Sequence, residues 1–258
     1  MLLNVHVIPH GDELIELPDN DSRRLNSAIV NISRLESADT IVVLSPHGMR
    51  LDQFGTIAMT QYVGGNLKLR GHYIKRKYPN DRELAESISA MSGDLFKKSF
   101  FITSSGEASV FPLDFGTLIP ISFFRPKHLI VIGQPRIDNR SKLVEGGRGL
   151  FKAIDSISRK VSVIFSCDQA HTHSDAGPYG FSPEAENYDR LAREFLGSGK
   201  SEIIENIREK CVLDAKPDSY WNLLILDGLL KESGRRLRFL DYYVAKYFGM
   251  MVATSLQA

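Results

Sequence analysis

Short, nearly continuous apolar runs alternate along this chain with longer stretches in which apolar residues return every three or four positions. LLNVHVI (Leu2–Ile8), TIVVLS (Thr40–Ser45), HLIVIGQP (His128–Pro135) and VSVIF (Val161–Phe165) are of the first kind. They read as strands buried on both faces. Residues 22–37, 82–91, 142–156, 183–196 and 201–210 carry the helical spacing, with Asp81 as a plausible N-cap for the second. A further helix follows Asp218, carries Trp221, Leu223, Leu224, Leu226, Leu229 and Leu230, and ends near Gly234. KSFFITS (Lys98–Ser104) reads as a strand, and residues 111–124 as a turn at Asp114-Phe115-Gly116 followed by an apolar segment. The alternation from Phe54 to Leu67 is weaker and breaks at Gly64-Gly65, so strands and a loop are expected there. Residues 236–256 have the pattern of a C-terminal β-hairpin. Strands alternating with helices, and no low-complexity linker, predict one α/β domain over residues 1–258, with a mixed, largely parallel central sheet flanked by helices.

Composition narrows the function classes. Of 258 residues 43% are hydrophobic and 24% charged, which suits a globular protein with a sizeable core. The net charge of +1 and the lack of a basic tail argue against nucleic acid as partner. RGHYIKRK (Arg70–Lys77) is locally basic and reads as a solvated loop, with His72 inside it. No apolar run reaches the ~20 residues of a membrane span, and the first ten residues read as a strand rather than a signal peptide. Two cysteines, Cys167 and Cys211, form no disulfide framework, and the expected compartment is the cytoplasm.

The candidate chemistry lies where strands end. Pro-His-Gly follows two buried strands, at Pro9-His10-Gly11 and at Pro46-His47-Gly48. The strand Val161–Phe165 opens onto SCDQAHTHSDAGPYGFSPEAENYD (Ser166–Asp189), which crowds Asp168, His171, His173 and Asp175 into one loop. Residues just beyond a strand end are held by a rigid element yet reach a cleft. Neutral imidazole is a common ligand of Fe, Zn, Cu and Ni. A single Pro-His-Gly is better explained as a turn, whereas two in matching contexts put a functional reading on an equal footing with that one. His6 and His128, inside and at the start of strands, read as structural; Cys167 reads as a buried, inert thiol. Asp168 is placed to orient His171 or His173, and Tyr179 either lines a cleft or packs on the following helix.

VIPHG (Val7–Gly11), VLSPHG (Val43–Gly48), PLDFGTLIPISF (Pro112–Phe123), the loop Ser166–Asp189 and DSYWNLLILDGLL (Asp218–Leu230) together resemble class III extradiol ring-cleavage dioxygenases. That superfamily includes the catalytic subunit of protocatechuate 4,5-dioxygenase and, distantly, the Memo-type proteins. The resemblance implies a three-layer α/β sandwich and a non-haem Fe(II) centre of two histidines and one carboxylate, a facial triad that leaves positions open for substrate and O2. It assigns His10 and His47 as ligands and His171 as the acid–base histidine. The third ligand falls on Asp218, although an Asp before a helix is also an ordinary N-cap; Asp214 and Glu13 are the alternatives. Phe115 stands where many relatives carry a histidine, and His173 is a candidate to compensate, since it would share a face with His171 in an extended chain. The activity implied is opening of a catechol or aminophenol ring with O2. A Memo-like metal-binding or redox protein without ring cleavage, and a zinc hydrolase on the same scaffold, remain open. Zn or another divalent ion can replace iron in each, and a homo-oligomer is compatible with the apolar C-terminus.

Overall fold

The computed structural model describes residues 1–255. Four parallel strands form the middle of the main sheet: β1 (Leu2–Ile8), β2 (Thr40–Ser45), β9 (His128–Gly133) and β10 (Val161–Ser166). They stand in the order β1-β10-β2-β9. The hairpin β11 (Arg238–Ala245) and β12 (Phe248–Thr254) extends the sheet antiparallel beside β1. At the other edge β4 (Phe54–Ala58) runs antiparallel to β9 and carries β3 (Arg50–Leu51) and β7 (Phe96–Ser99). The expected hairpin is therefore present, its predicted last residue, Leu256, lying outside the described residues.

Period-2 alternation divides the side chains of the parallel strands between two cores. Val5, Val7, Val42, Leu44, Ile130, Ile132, Val163 and Phe165 face a layer that includes α3 (Arg82–Met91), α5 (Arg140–Asp155), α6 (Glu184–Ser198), α8 (Glu209–Ala215) and α9 (Tyr220–Ser233). Ile8, Ile41, Val43, Leu129, Val131 and Ile164 face the opposite layer. That layer holds α2 (Asn20–Leu35), α4 (Phe115–Ser122) and a small sheet of β6 (His72–Pro79), β5 (Tyr62–Leu69) and β8 (Val110–Pro112). The result is the expected three-layer sandwich. Two short helices, α1 (Glu13–Glu16) and α7 (Ser201–Glu205), complete it.

Several local expectations change. Of residues 70–77 only Arg70 and Gly71 form a turn: from His72 the chain is β6, which pairs antiparallel with β5, turning Ile74 and Tyr78 inward and Lys75 and Lys77 outward. The density of positive charge hid a period-2 pattern. Gly64 and Gly65 lie inside β5 rather than ending it, because a Cβ there would meet the Arg76 and Leu113 carbonyl oxygens, each at 2.9 Å. Residues 115–122 form a helix, capped by Asp114 accepting from Thr117 N at 3.0 Å. The strand expected over residues 98–104 stops at Ser99, the residue that pairs with Ala58 at the end of β4. The helix expected over residues 201–210 is two helices, and the break between them gives the Glu205 and Ile207 carbonyls to the Arg140 guanidinium, at 2.6 and 2.7 Å.

The crossovers position the site. β1 reaches β2 through α2 on one face, and β9 reaches β10 through α5 on the other. A cleft is expected beyond the carboxyl ends where such connections diverge. The register aligns those ends: Ile8 pairs with Ser166, Phe165 with Leu44, and Ser45 with Gly133. His10, Asp168 and His47 each stand two residues beyond an aligned strand end, so three chemically useful side chains emerge side by side.

Candidate metal centre

Three ligand atoms converge at that edge. His10 Nε2 and His47 Nε2 are 3.0 Å apart. Asp218 Oδ2 lies 3.1 Å from the first and 3.3 Å from the second. Ligands at ~2.1 Å from one ion stand roughly 3.0 Å apart in adjacent octahedral positions and roughly 3.4 Å apart in tetrahedral ones. The triangle therefore has the size of three ligands on one face of a metal ion, and His10, His47 and Asp218 form a group that could hold one.

The neighbouring hydrogen bonds set the protonation that a metal needs. Ser166 Oγ donates to the Gly116 carbonyl at 2.6 Å, so towards His10 Nδ1, at 2.9 Å, it can only accept. His10 thus carries its proton on Nδ1 and turns the Nε2 lone pair towards Asp218 and His47. Lone pairs of His10 and Asp218 facing one another at this distance are reconciled by a proton or by a bound cation between them. His10 responds accordingly: burial alone would lower its pKa, but the Asp168 and Asp218 carboxylates outweigh that and raise it to about 9. Asp218 is depressed despite burial by the charge and hydrogen bond of His10.

Asp218 does not cap the following helix. The N-cap of α9 is Ser219, without a side-chain cap bond. Asp218 Oδ1 instead accepts from Asp168 N at 3.1 Å, leaving Oδ2 for the histidines. Asp168 Oδ1 in turn accepts from His10 N at 2.9 Å. Asp168 thus braces the His10 turn, not the ring of His171 or His173 as expected, and burial raises its pKa to about 6. Of the alternative ligands, Asp214 pairs with Lys210, and Glu13 lies buried 2.8 Å from Lys246 Nζ; neither belongs to the converging group.

A cleft of about 880 Å³ opens onto the triangle. His47, Asp218, His171 and Tyr179 line it. His171 Nδ1 donates to the Gln169 carbonyl at 2.8 Å, which leaves Nε2 as the acceptor, and its ring stacks on Phe248 at 5.6 Å and 16°. The structure does not bring His173 to this cleft. Its Nε2 is bound to Asp189 Oδ2 at 2.8 Å, an oxygen that also accepts from Tyr242 Oη at 2.7 Å. The loop is not an extended strand between positions 171 and 173, so the period-2 argument for a shared face fails. Phe115 packs its ring 4.2 Å from that of His47, occupying the side where a histidine was expected to act. Burial holds the Cys167 thiol protonated.

Three contributors were not read from the sequence. Ser166 orients His10. Gln134, next after β9, donates from Nε2 to the Asp218 carbonyl at 2.8 Å and from N to the Ser45 carbonyl at 2.8 Å. Arg136 lines the cleft and is held by Gln134 Oε1 at 3.2 Å. The strand-end position that singled out the histidines would also have singled out Gln134.

Comparison with known proteins adds three findings. A family model described as the catalytic LigB subunit of aromatic ring-opening dioxygenase matches residues 5–254. Protein CA_C1420 of Clostridium acetobutylicum is 22% identical over 223 residues, covering 80% of this chain and 46% of that protein, so the chain spans about half the length of this relative. The crystal structure of the uncharacterized protein JW3007 from Escherichia coli K12 superposes with a TM-score of 0.65 at 15% identity, covering 98% of this chain and 99% of that one, a likeness of fold. Among the described residues no helix is long and apolar enough to cross a membrane.

Proposed function

The chain belongs to the LigB family of catalytic subunits of aromatic ring-opening dioxygenases, and from that premise we propose that it is a non-haem Fe(II)-dependent extradiol dioxygenase that opens a catechol or aminophenol ring with O2. One observation carries the reading: three potential ligand atoms at mutual distances of 3.0–3.3 Å, beside a cleft that also presents a third imidazole, His171. His10, His47 and Asp218 are the ligands in this proposal. An Fe(II) ion held there would supply Lewis acidity towards the diolate and a path for electrons from ring to dioxygen. The protein's own residues do the rest. His171 takes the proton of a substrate hydroxyl at Nε2, because Nδ1 is fixed on the Gln169 carbonyl. Ser166 keeps His10 in the ligating tautomer. Asp168 holds the His10 turn and Asp218 together through two backbone N–H bonds.

The test is direct. Protein loaded anaerobically with Fe(II) is offered a panel of catechols and aminophenols while oxygen uptake and the yellow ring-opened product are followed. Turnover of at least one is expected, and its absence with every substrate would sink the proposal. His171→Ala should keep the metal and lose turnover; Asp218→Ala should lose the metal.

Phe115 favours one second reading, a Memo-type metal-binding or redox protein with the same centre. An apolar ring against His47 removes a hydrogen-bonding partner from the open side of the site. Tight copper or zinc binding with no oxygen uptake on any diol would select it.

A further inference from the structure

We propose that Asp189 is a positioning residue for His171 and acts on it through one peptide group, the one between Gln169 and Ala170. Asp189 lies fully buried on α6. Its Oδ1 accepts from Ala170 N at 2.9 Å. The carbonyl of that same peptide, on Gln169, accepts from His171 Nδ1 at 2.8 Å. Carboxylate, peptide and imidazole thus form one chain of hydrogen bonds, in which each bond polarises the next. Negative charge on the N–H side of the peptide makes its carbonyl oxygen a stronger acceptor. The His171 proton is thereby drawn to Nδ1, and the Nε2 lone pair is left free. A carboxylate that binds a histidine directly fixes its tautomer and orientation; here a peptide stands between the two.

The surroundings keep this chain in register. Asp189 Oδ2 accepts from His173 Nε2 at 2.8 Å and from Tyr242 Oη at 2.7 Å. One carboxylate therefore grips the loop on both sides of His171, at Ala170 and at His173. Gly249 holds the neighbouring peptides: Gln169 N donates to its carbonyl at 2.7 Å, and its own N donates to the Ala170 carbonyl at 3.0 Å. A Cβ on Gly249 would lie 2.1 Å from Asp189 Oδ2, so a glycine at this position makes room for the carboxylate. Among the described residues no lysine or arginine stands within 4.0 Å of that carboxylate, and its ion-pair partner is His173. Burying an acid with so little compensating charge disfavours folding. A role for the charge itself, beyond the three hydrogen bonds, explains why an acid occupies the position.

The test reads the tautomer directly. The full chain, with 15N-labelled histidine rings and Zn(II) as a diamagnetic ion, is examined by long-range 1H–15N NMR at about pH 8.5, where an ordinary imidazole is neutral. His171→Gln assigns the two ring nitrogens of His171 by their disappearance. The parent should carry the proton on Nδ1. Asp189→Ala should lower the ratio of Nδ1-protonated to Nε2-protonated rings about ten-fold, and Asp189→Asn, which keeps an acceptor but not the charge, about three-fold. Tyr242→Phe also removes a bond of the cluster, but from Oδ2; it should lower the melting temperature and leave the ratio unchanged. If Asp189→Ala does not fold, Asp189→Asn decides alone. A parent ring protonated on Nε2, a ratio untouched by Asp189→Asn, or an equal fall in Tyr242→Phe would overturn the role. Its value to catalysis rests on reading His171 as the proton acceptor. The signal needs neither iron nor turnover, so a protein that shows the tautomer effect but opens no ring contradicts only the ring-opening reading.

Discussion

A single hydroxyl decides which nitrogen of His10 faces the triangle. Ser166 Oγ spends its proton on the Gly116 carbonyl and must accept from His10 Nδ1. Ser166→Ala removes that acceptor and frees the ring to change tautomer or rotate. The expected result is a 10–100-fold loss of metal affinity, read by competition with a chromophoric chelator; an unchanged affinity would show that the triangle alone fixes the ring. A second residue-scale prediction concerns Glu36, outside the site. Its carboxylate is buried, which opposes ionisation. The bonds from His6 Nε2 at 2.9 Å and Asn4 Nδ2 at 3.0 Å overcome this and lower its pKa to about 2. A depressed carboxylate stabilises the fold above its unfolded pKa of roughly 4.5 and loses that contribution as pH falls towards 2. The contribution is of order 3 kcal/mol. Urea midpoints should show Glu36→Gln less stable than the parent at pH 7, with the difference closing between about pH 5 and 2. A difference that persists at pH 2 would mean that packing, not charge, holds Glu36 in place.

At the scale of elements, the site depends on how closely α9 approaches α5. A Cβ on Gly228 would lie 1.8 Å from the Val144 carbonyl oxygen, and one on Gly147 would lie 1.9 Å from that of Ile225. Backbone cannot yield as a flexible side chain does. Gly228→Ala should therefore cost about 1–3 kcal/mol or more in denaturant titrations and weaken metal binding as well, since Asp218 stands at the entry to α9. A variant as stable as the parent would show that the helices can separate without loss. This contact also marks what the sequence could and could not reveal. His10 and His47 were legible because each follows a nearly continuous apolar strand, and parallel register carries such residues to one edge. Asp218 was singled out through family resemblance alone: it comes in from a helix on the far layer, and no periodicity links a helix entry to a strand end. Gln134 was absorbed into the apolar run that ends at Pro135, and Arg136, the next residue, belonged to no pattern. The strand β6 was obscured by its lysines. The helix at residues 115–122 was obscured by an internal Pro120 and an almost wholly apolar sequence, which leave no helical stripe to detect.

For the molecule as a whole, the triangle joins the ends of β1 and β2 to the start of α9, beside the loop after β10 that Asp168 ties to both. An ion bound there links the layer of α9 to the strand ends of the sheet, and it binds the folded chain alone, since the three ligands lie far apart in sequence. Linkage then fixes the sign of the effect: free metal at 100 times its dissociation constant should stabilise the fold by about 2.7 kcal/mol. For a chain of 258 residues each kilocalorie corresponds to roughly 2–4 °C, so Fe(II) under nitrogen, or Zn(II), should raise the melting temperature by roughly 5–10 °C, and a chelator should reverse the rise. His47→Ala and Asp218→Asn should abolish the shift. His173→Ala should lower the starting melting temperature, through the loss of its bond to Asp189, yet leave the metal-induced increment intact. If His173→Ala erased the increment while Asp218→Asn kept it, the ion would sit at the Asp189 cluster, and the centre assigned to the strand ends would be wrong.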